Sequence, residues 1–366
     1  MSRATMEPPL LFTPGPTWVR PEVLAEMSRP AIRHRGAEAQ ALIGEVAKLF
    51  GRILGSSQQI LLSTSSATGL MEAAVRNCVR RRCLCLSCGA FGKRWMEIVE
   101  SCGKTAIGLE VEWGKAIRPE AVAEALERGD VDAVTLVHNE TSTGVANPLR
   151  EISAVVGRYP DVLLLVDVVS SLGGMPVAVD ELGTDVCLAS VQKALALPAG
   201  FSLCSVSEAA LQRSRSMAEK GFYFDFVRMQ EAARKSQSLT TPSTAHLFAI
   251  RKQLQFLFSE GLDVRHRRHR RMAQRVREWA GARMELFAET GFESDTVTCI
   301  RTTGGIDATE FCGALESEGF RIAPGYGKLK KRTFRIGHMG DHSLQAVDSL
   351  LEAADRILAG KKGNAS

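Results

Sequence analysis

The sequence of 366 residues predicts an α/β fold, in which a large, mostly parallel sheet is followed by a smaller α+β domain. Three observations support this fold class. Apolar, strand-like runs alternate with helical segments as far as about Asp225. One of these runs, LLLVD ending at Asp167, is apolar up to its last residue, which is typical of strands buried on both faces of a parallel sheet. Beyond Asp225 the pattern changes to long helices and short mixed pieces.

The large predicted domain begins with a turn-rich arm and two helices. The arm contains FTPGPT, one helix starts at about Pro21, and a second helical segment ends at Gly55. Two strand–loop–helix units come next, QILLSTSSATGLMEAAVRNCV and RCLCLSCGAFGKRWMEIVESCG. In each unit an apolar run and a small polar loop precede a helical pattern.

The following segments add further strands. DAVTLVHNETSTGV predicts a strand and a loop, EISAVVGRYP a helix, and DVLLLVDVVSSLGG a buried strand. CLASVQKALALPAGFSLCSV predicts two buried strands joined by a turn, with Lys193 in the turn.

The C-terminal part is predicted to be a smaller α+β domain. One long helical stretch runs from TAHLFAIRKQ through an arginine-rich segment to REWAGARMELF. Short alternating pieces and a closing helix, SLQAVDSLLEAADRILAG, follow. The predicted limits are residues 15–255 for the large domain and residues 1–14 with 256–366 for the small domain.

Composition and charge exclude several classes of protein. The chain is 45% hydrophobic and 24% charged, which is ordinary for a globular protein with a large core. A net charge of +5 is too small to indicate a nucleic-acid partner. The arginine-rich segment 265–278 is interpreted as a solvated helix face, with a phosphate-binding or tail-like role as the alternative. The sequence shows no signal-peptide pattern and no apolar run of membrane-spanning length, so we expect a cytoplasmic protein without a membrane partner.

The nine cysteines do not indicate a metal site or a disulfide framework. Cys83 and Cys85 alternate with leucines as in a strand, and no histidine lies nearby. Buried thiols in a reducing compartment are therefore the preferred interpretation.

Three strand ends carry polar groups that ligand chemistry requires. The loop STSSAT, residues 63–68, follows a strand and opens a helix, so its backbone N–H groups form either an anion site or a simple N-cap cluster. Asp167 ends a buried strand, and a carboxylate there needs a cationic partner. Lys193 lies in an apolar run, where it either reaches out to solvent or is held neutral and nucleophilic.

An anion cradle, a buried carboxylate and a buried lysine together fit pyridoxal 5′-phosphate. This cofactor has a phosphate, a pyridine nitrogen that must stay protonated, and an aldehyde that reacts with a lysine. The same lysine can act as a base at the substrate α-carbon. The ligand set therefore predicts this cofactor, with no metal ion.

The sequence also resembles the class V, fold-type I aminotransferases, over roughly residues 10–358. The arm FTPGPT is similar to the family's N-terminal motif. Five further blocks match the family in order: GAFGKRW, HNETSTGV, LLLVDVVSSLGG, SVQKALALPAG and FRIGHMG. Because several ordered blocks are far more specific than one, the resemblance implies the fold and a transaminase activity. The alanine–glyoxylate, serine–pyruvate and serine–glyoxylate aminotransferases are the most similar subgroup.

The resemblance implies a catalytic role for several residues. Lys193 would form a Schiff base with the cofactor and move the proton, while Asp167 would pair with the pyridine nitrogen. Phe91 would stack on the ring, Thr141 would reach its 3-oxygen, and Arg335 would bind the substrate carboxylate. Three of these residues have a simpler alternative: Phe91 could be a core residue, Thr141 a turn residue and Arg335 part of a surface ion pair. Trp95 is interpreted as packing.

The resemblance also implies a homodimer with shared active sites. Gly15 and Arg35 would lie at the substrate, and the latter belongs to an early cationic loop. Ala67 stands where glycine is common in the family, and Ser238 stands where some relatives have tyrosine. The remaining cofactor contacts would be Ser66, Ala67, Thr68 and Gln192 within one subunit, and Ser238 and Thr241 towards the partner's phosphate.

Several substrates and functions remain open. Small amino donors, alanine or serine, with glyoxylate or pyruvate as acceptor are the leading hypothesis. Phosphoserine with glutamate is the runner-up, because loop cations around Arg35 and Lys328 suit a second anion. A cysteine desulfurase or lyase is disfavoured, since Cys299 and Cys312 lie in strand-like and helix-like contexts. The last alternative is a non-catalytic partner subunit.

Overall fold

The computed structural model describes residues 8–363, and the elements of that range are numbered here in chain order. The strands are β1 Leu10–Leu11, β2 Gln59–Ser63, β3 Arg82–Ser87, β4 Thr105–Glu110, β5 Ala133–Val137, β6 Asn139–Glu140, β7 Val145–Ala146, β8 Leu163–Asp167, β9 Val186–Ser190, β10 Ser202–Val206, β11 Glu285–Leu286, β12 Val297–Arg301, β13 Phe320–Arg321, β14 Ala323–Pro324 and β15 Thr333–Gly337. The helices are α1 Pro21–Glu26, α2 Ala37–Leu54, α3 Ala67–Cys78, α4 Ala90–Ser101, α5 Pro119–Glu127, α6 Leu149–Val156, α7 Val179–Leu182, α8 Glu208–Arg215, α9 Phe226–Ala233, α10 Thr244–Glu260, α11 Leu262–Gly281, α12 Ala308–Ser317 and α13 Leu344–Gly363.

A seven-stranded sheet forms the centre of the larger part, in the order β2-β10-β9-β8-β5-β3-β4. The five strands from β9 to β4 in this order run parallel, whereas β10 lies antiparallel between β2 and β9. Every residue of β5, β8 and β9 is buried, because the sheet is covered on both faces. The predicted α/β fold with a large, mostly parallel sheet is confirmed.

Two apolar layers pack against the opposite faces of this sheet. One layer is built on α2, α5, α6 and α10 and contains Leu42, Ile152 and Leu254. The other is built on α3, α4, α8 and α9 and contains Leu70 and Trp95. Trp95 has no exposed surface, so the prediction that it packs in the core is confirmed.

A second sheet, in the order β11-β12-β15-β14, is antiparallel throughout. Helices α11, α12 and α13 supply its core, which includes Trp279, Phe311 and Leu350. The N-terminal strand β1 pairs in parallel with β13, which brings the start of the described chain to this C-terminal layer. The domain limits of 15–255 and of 1–14 with 256–366 stay a prediction, and residues 1–7 and 364–366 lie outside the described residues.

The predicted long helical stretch is present, as two helices rather than one. Gly261 lies between α10 and α11 and has φ at 85°, a conformation that favours glycine. The interpretation of 265–278 as a solvated face holds for one side of α11, whereas the other side, which includes Arg265 and His269, is buried. Arg267, Arg271 and Arg275 are exposed, but Arg265 retains only 1% of its surface.

The described part of the chain contains nine free cysteines, eight of them buried. Within residues 8–363 no cluster of histidine, cysteine and acidic side chains has the geometry of a metal site. The same residues include no helix whose length and apolarity would let it cross a membrane.

Candidate active site

The site lies at the carboxyl edge of the parallel strands, where β8 and β9 are neighbours. Asp167 is the last residue of β8, and Lys193 follows the end of β9 in a tight turn. The Lys193 amine donates to the carbonyl of Pro14, which belongs to the N-terminal arm. Each of the two charged groups shifts the pKa of the other, so the structure brings together the carboxylate and the lysine that the sequence singled out.

The environment of Lys193 favours its neutral form. Burial is the main cause that lowers the pKa of the amine to about 8, and the positive charge of Arg335 acts in the same direction. Asp167 opposes this shift, but it does not cancel it. With a pKa of about 8, about a tenth of the lysine is neutral at pH 7, and this fraction can act as a nucleophile or proton acceptor.

Gly15 lies directly against the Lys193 side chain. A Cβ atom on Gly15 would meet Cε and Nζ of Lys193 at 2.7 Å, and the φ angle of 111° independently favours glycine. Gly15, which was predicted to lie at the substrate, thus leaves room for the Lys193 side chain.

Asp167 is a buried carboxylate with one free oxygen. Burial raises the pKa of Asp167 to about 7, although the Val169 N–H donates to Oδ1 at 2.8 Å and favours the charged form. Among residues 8–363 no hydrogen bond reaches Oδ2. A protonated ring nitrogen would complete this carboxylate with both a charge and a hydrogen bond.

The predicted anion cradle lies at the N-terminus of α3. Ser66 is the N-cap residue and is exposed, and its side chain does not cap the helix. The N–H groups of Ala67 and Thr68 belong to the first turn, which lacks intrahelical partners. Ser65 hydrogen-bonds to Ser202 at 3.0 Å and so fixes the loop to β10. These donors and the helix dipole suit a phosphate group.

Gln192 precedes Lys193 in the same turn, and its predicted contact with the phosphate stays a prediction. Its side-chain oxygen accepts a hydrogen bond from Ser190, and within the described chain its amide NH2 group makes no hydrogen bond. This leaves a donor that is available to a ligand next to the lysine.

Phe91 is held in place by a buried acid that sequence reasoning missed, Glu140. Glu140 accepts from the N–H groups of Phe91 at 3.0 Å and Gly92 at 3.1 Å and from the Ser142 hydroxyl at 2.6 Å. These bonds fix the first turn of α4, which carries the half-buried Phe91 ring. The position of Glu140 inside HNETSTGV was the available signal.

Thr141 is buried next to this acid. Its hydroxyl donates to Ser170 Oγ at 2.9 Å and therefore keeps only its acceptor capacity for a ligand. The structure is compatible with the predicted contact to a ring hydroxyl, and the contact itself stays a prediction.

Arg335 is not part of a surface ion pair. It lies in β15, is 9% exposed, and donates to the carbonyl of Pro324 at 3.1 and 3.2 Å and to that of Thr141 at 3.4 Å. Burial lowers its pKa from the ordinary value. Since no acidic side chain pairs with it in the described chain, the guanidinium retains donors for a substrate carboxylate.

A second guanidinium, that of Arg94, was not predicted. It lies on α4, three residues after Phe91 and thus on the same helix face, with its carbon 4.9 Å from the Phe91 ring centre. Its Nη2 donates to the Tyr326 hydroxyl at 3.2 Å, and the Arg335 guanidinium lies 5.6 Å from the ring of the same tyrosine. The spacing within GAFGKRW was the signal for it.

Three predicted residues are not brought to this cluster within one chain. Ser238 donates to the carbonyl of Thr240 at 2.6 Å in its own segment. Thr241 is exposed, and Arg35 is exposed in the loop before α2. Their proposed contacts with the cofactor or substrate stay predictions.

The donor set fits pyridoxal phosphate in each of its parts. A helix N-terminus suits the phosphate, the free oxygen of Asp167 suits the pyridinium, and Lys193 suits the aldehyde. The half-buried ring of Phe91, 4.9 Å from the carbon of the Arg94 guanidinium, offers a flat apolar surface.

The family comparison agrees with this geometry. The model of the family described as Aminotransferase class-V matches residues 11–325. An uncharacterized aminotransferase of Methanocaldococcus jannaschii is 39% identical over 90% of this chain and 88% of its own length. The serine–glyoxylate aminotransferase of Methylorubrum extorquens is 31% identical, with 90% and 86% covered. The small subunit of a soluble hydrogenase from a Synechococcus strain is also 31% identical, with 94% and 92% covered.

Solved structures of aminotransferases share the fold. The alanine–glyoxylate aminotransferase of a Nostoc species superposes with a TM-score of 0.91 at 26% identity, covering 98% of this chain and 97% of that one. The aspartate aminotransferase of Thermus thermophilus gives 0.87 at 26% identity, with 95% and 99% covered. With the lysine, the carboxylate and the anion cradle in place at the strand ends, the chain belongs to the class V aminotransferases and is a transaminase that uses pyridoxal phosphate.

Proposed function

We propose that the chain moves an amino group from a small L-amino acid, alanine or serine, to a 2-oxo acid such as glyoxylate or pyruvate in a ping-pong reaction. The observation that carries this proposal is the buried guanidinium of Arg335, which has no acidic partner in the described chain and lies close enough to Lys193 to lower its pKa. A site that binds a carboxylate next to a neutral amine suits an α-amino acid. The Tyr326 ring beside the guanidinium favours a small side chain.

The proposed roles follow from these contacts. When bound, the cofactor supplies an electron sink for the substrate α-carbon. Lys193 Nζ binds the aldehyde and later takes and returns the α-proton, for which a pKa of about 8 is well matched. Asp167 keeps the ring nitrogen protonated, and Arg335 orients the carboxylate so that the α-hydrogen faces the lysine.

Replacing Arg335 by glutamine should weaken the binding of every substrate that has a carboxylate. Loss of a charged hydrogen-bond donor is expected to raise KM at least about tenfold, with a smaller effect on kcat. Steady-state kinetics with alanine and with glyoxylate measure both constants. Arg332→Gln, at an exposed position just before β15, is the matched control and should leave KM unchanged. Equal KM values for both variants would place the carboxylate site elsewhere.

A half-reaction panel tests the substrate class. L-Alanine, L-serine, L-aspartate, L-glutamate, L-phosphoserine and L-cysteine are added separately to the protein with bound cofactor, and the visible absorption band is followed. Conversion mainly by alanine or serine supports the proposal. Conversion mainly by an amino acid with a second anion contradicts it.

Arg94 favours a second candidate, a donor with a second carboxylate or a phosphate. Its guanidinium has no acidic partner within residues 8–363, and its charge lowers the pKa of Lys193, so it faces the same space. Arg94→Gln should then weaken the binding of aspartate, glutamate and phosphoserine by about tenfold and leave the binding of alanine unchanged. Lys93→Gln, at the exposed neighbouring position, is the control. An equal loss for all donors would rule out a second anion site at Arg94.

Other functions of related folds have less support. Burial raises the pKa of Cys299 to about 11 and that of Cys312 to about 12, so neither thiol is suited to desulfurase chemistry. The hydrogenase-subunit name of one relative suggests a partner role, but Lys193, Asp167 and Arg335 support an enzyme.

We also infer a homodimer. Thr241 is exposed, Ser238 is half-buried, and neither joins the Lys193 cluster of its own chain, so a contact with the phosphate of a partner subunit would give them a role. Sedimentation of the protein at micromolar concentration would test this.

A further inference from the structure

The most deeply buried charge of α11 is Arg265, and its guanidinium connects four parts of the chain. Nε donates to the carbonyl of Gly173 at 2.9 Å, and Nη2 donates to that of Ala194 at 2.8 Å. Nη1 pairs with Asp341 at 2.7 Å and with Glu260 at 2.9 Å. A buried guanidinium with all its branches engaged is a rigid connector.

Three of these acceptors lie in segments that follow proposed active-site residues. The Gly173 carbonyl lies in the loop after Asp167, the Ala194 carbonyl belongs to the turn of Lys193, and Asp341 follows the strand of Arg335. The Arg265 side chain therefore contacts the three segments that carry Asp167, Lys193 and Arg335.

The turn of Lys193 needs such support. Ala196 closes it with an N–H bond to the Lys193 carbonyl at 2.9 Å and has φ at 56°, which is unfavourable for a residue with a side chain. Ala194 is fully buried, and Arg265 is the donor to its carbonyl within residues 8–363. Without that donor a buried carbonyl would be left unpaired next to the lysine.

Neighbouring groups keep Arg265 in this position. Burial opposes the charge of Asp341, but the guanidinium groups of Arg265 and Arg20 and a hydrogen bond from Gln253 hold its pKa at about 2. His269, one turn further along α11, has its Nδ1 2.8 Å from the Arg265 carbonyl. The ion pair is thus present at any pH near neutrality.

We propose that Arg265 is a positioning residue that fixes the turn of Lys193 against the loop after Asp167. The expected effect on catalysis rests on the proposed function, whereas the expected effect on the two loops does not. Arg265 touches none of the proposed ligand groups. It acts through the two backbone carbonyls that it holds.

Arg265→Lys is the test variant, because lysine keeps the charge but cannot donate to both carbonyls and both carboxylates in one plane. Arg213→Lys is the matched control. Arg213 is also buried and donates to the carbonyls of Cys78, Asp132 and Asp161, at the opposite edge of the sheet. Both substitutions keep the positive charge and remove buried bonds from a guanidinium to backbone carbonyls, two for Arg265 and three for Arg213, so a general effect of losing such bonds appears in both variants.

Four properties of the full-length chain are compared: unfolding by urea, amide hydrogen exchange by mass spectrometry without added cofactor, the dissociation constant of pyridoxal phosphate, and the values of kcat and KM. In Arg265→Lys, exchange should rise about tenfold in residues 168–175 and 191–197 beyond any global change, with a similar loss of cofactor affinity and kcat. In Arg213→Lys, cofactor affinity and kcat should stay near those of the parent protein.

The outcomes separate this proposal from the proposed function. Unchanged exchange in 191–197, or equal losses in both variants, overturns the positioning role. Failure of the parent protein to bind the cofactor overturns the proposed function, while the exchange data still decide the role of Arg265. If Arg265→Lys does not fold, Asp341→Asn is used: it should loosen the same two segments about threefold, and no loosening overturns the proposal.

Discussion

Replacing Lys193 by methionine is expected to abolish transamination and, in the cofactor-free protein, to stabilise the fold at neutral pH. The first effect follows because the same amine would bind the aldehyde and move the proton, so kcat should fall at least about a thousandfold. The second effect follows from the burial of the ammonium, which methionine replaces by an apolar chain of similar length; this gain is expected to exceed the loss of the hydrogen bond to the Pro14 carbonyl. A site built for chemistry is here a source of instability.

The pH dependence of this stabilisation has a definite sign. The pKa of Lys193 is about 8 in the folded chain against an ordinary value of 10.5. Below pH 8 both the folded and the unfolded chain carry the proton, and the folded state bears the full cost of up to about 3 kcal/mol. Between these two values the folded chain has lost its proton, so the cost declines as the pH rises. Above pH 10.5 the lysine is neutral in both states, so charge burial no longer contributes to the difference in unfolding free energy between variant and parent.

Urea unfolding of the cofactor-free proteins at pH 6, 7 and 10 measures this difference. Lys220→Met is the control with the opposite expected sign. The Lys220 ammonium donates to the Ser214 carbonyl at 2.8 Å and pairs with Asp225 at 3.4 Å, so its removal should destabilise the chain. A Lys193→Met protein that is less stable than the parent at pH 7 would contradict the burial argument. Borohydride reduction that still attaches the cofactor to another lysine would contradict the assignment of Lys193.

The larger sheet and the position of the lysine could be predicted because they depend on local pattern. The runs that form β8 and β9 are apolar throughout, and a polar residue at the end of such a run stands out. By contrast, β4 and α5 were not assigned. β4 is an edge strand with three exposed and three half-buried residues and with Gly108 inside it, so its pattern is weak.

The side chains that sequence reasoning missed depend on contacts between distant segments. Glu140 becomes part of the site only when β6 meets the start of α4, and Arg94 only when Tyr326 of the C-terminal part reaches α4. Arg265 looked like one member of a basic run, since a row of arginines gives no sign of which one faces the core. Its burial is set by the carbonyls of two loops that lie far away in the sequence.

Replacing Asp167 by asparagine should leave cofactor binding measurable but lower kcat at least about a hundredfold. Asparagine can still accept the Val169 N–H bond, which is 2.8 Å long in the parent chain, so the loop should keep its shape. It carries no charge to hold the pyridine nitrogen protonated, and loss of one preorganised electrostatic partner has an effect of this size. Asp185→Asn is the control: this half-buried carboxylate before β9 accepts from the Leu164 N–H, and its replacement should leave kcat unchanged.

The same substitution should stabilise the cofactor-free chain, with a pH dependence opposite to that of Lys193→Met. Burial raises the pKa of Asp167 to about 7 from an ordinary 3.8, so the charged carboxylate destabilises the folded state fully above pH 7 and not at all below 3.8. The gain of Asp167→Asn should therefore grow from pH 4 to pH 7, reaching at most about 4 kcal/mol. A constant gain across this range would show that charge burial is not its cause, and unchanged kcat would remove Asp167 from the reaction.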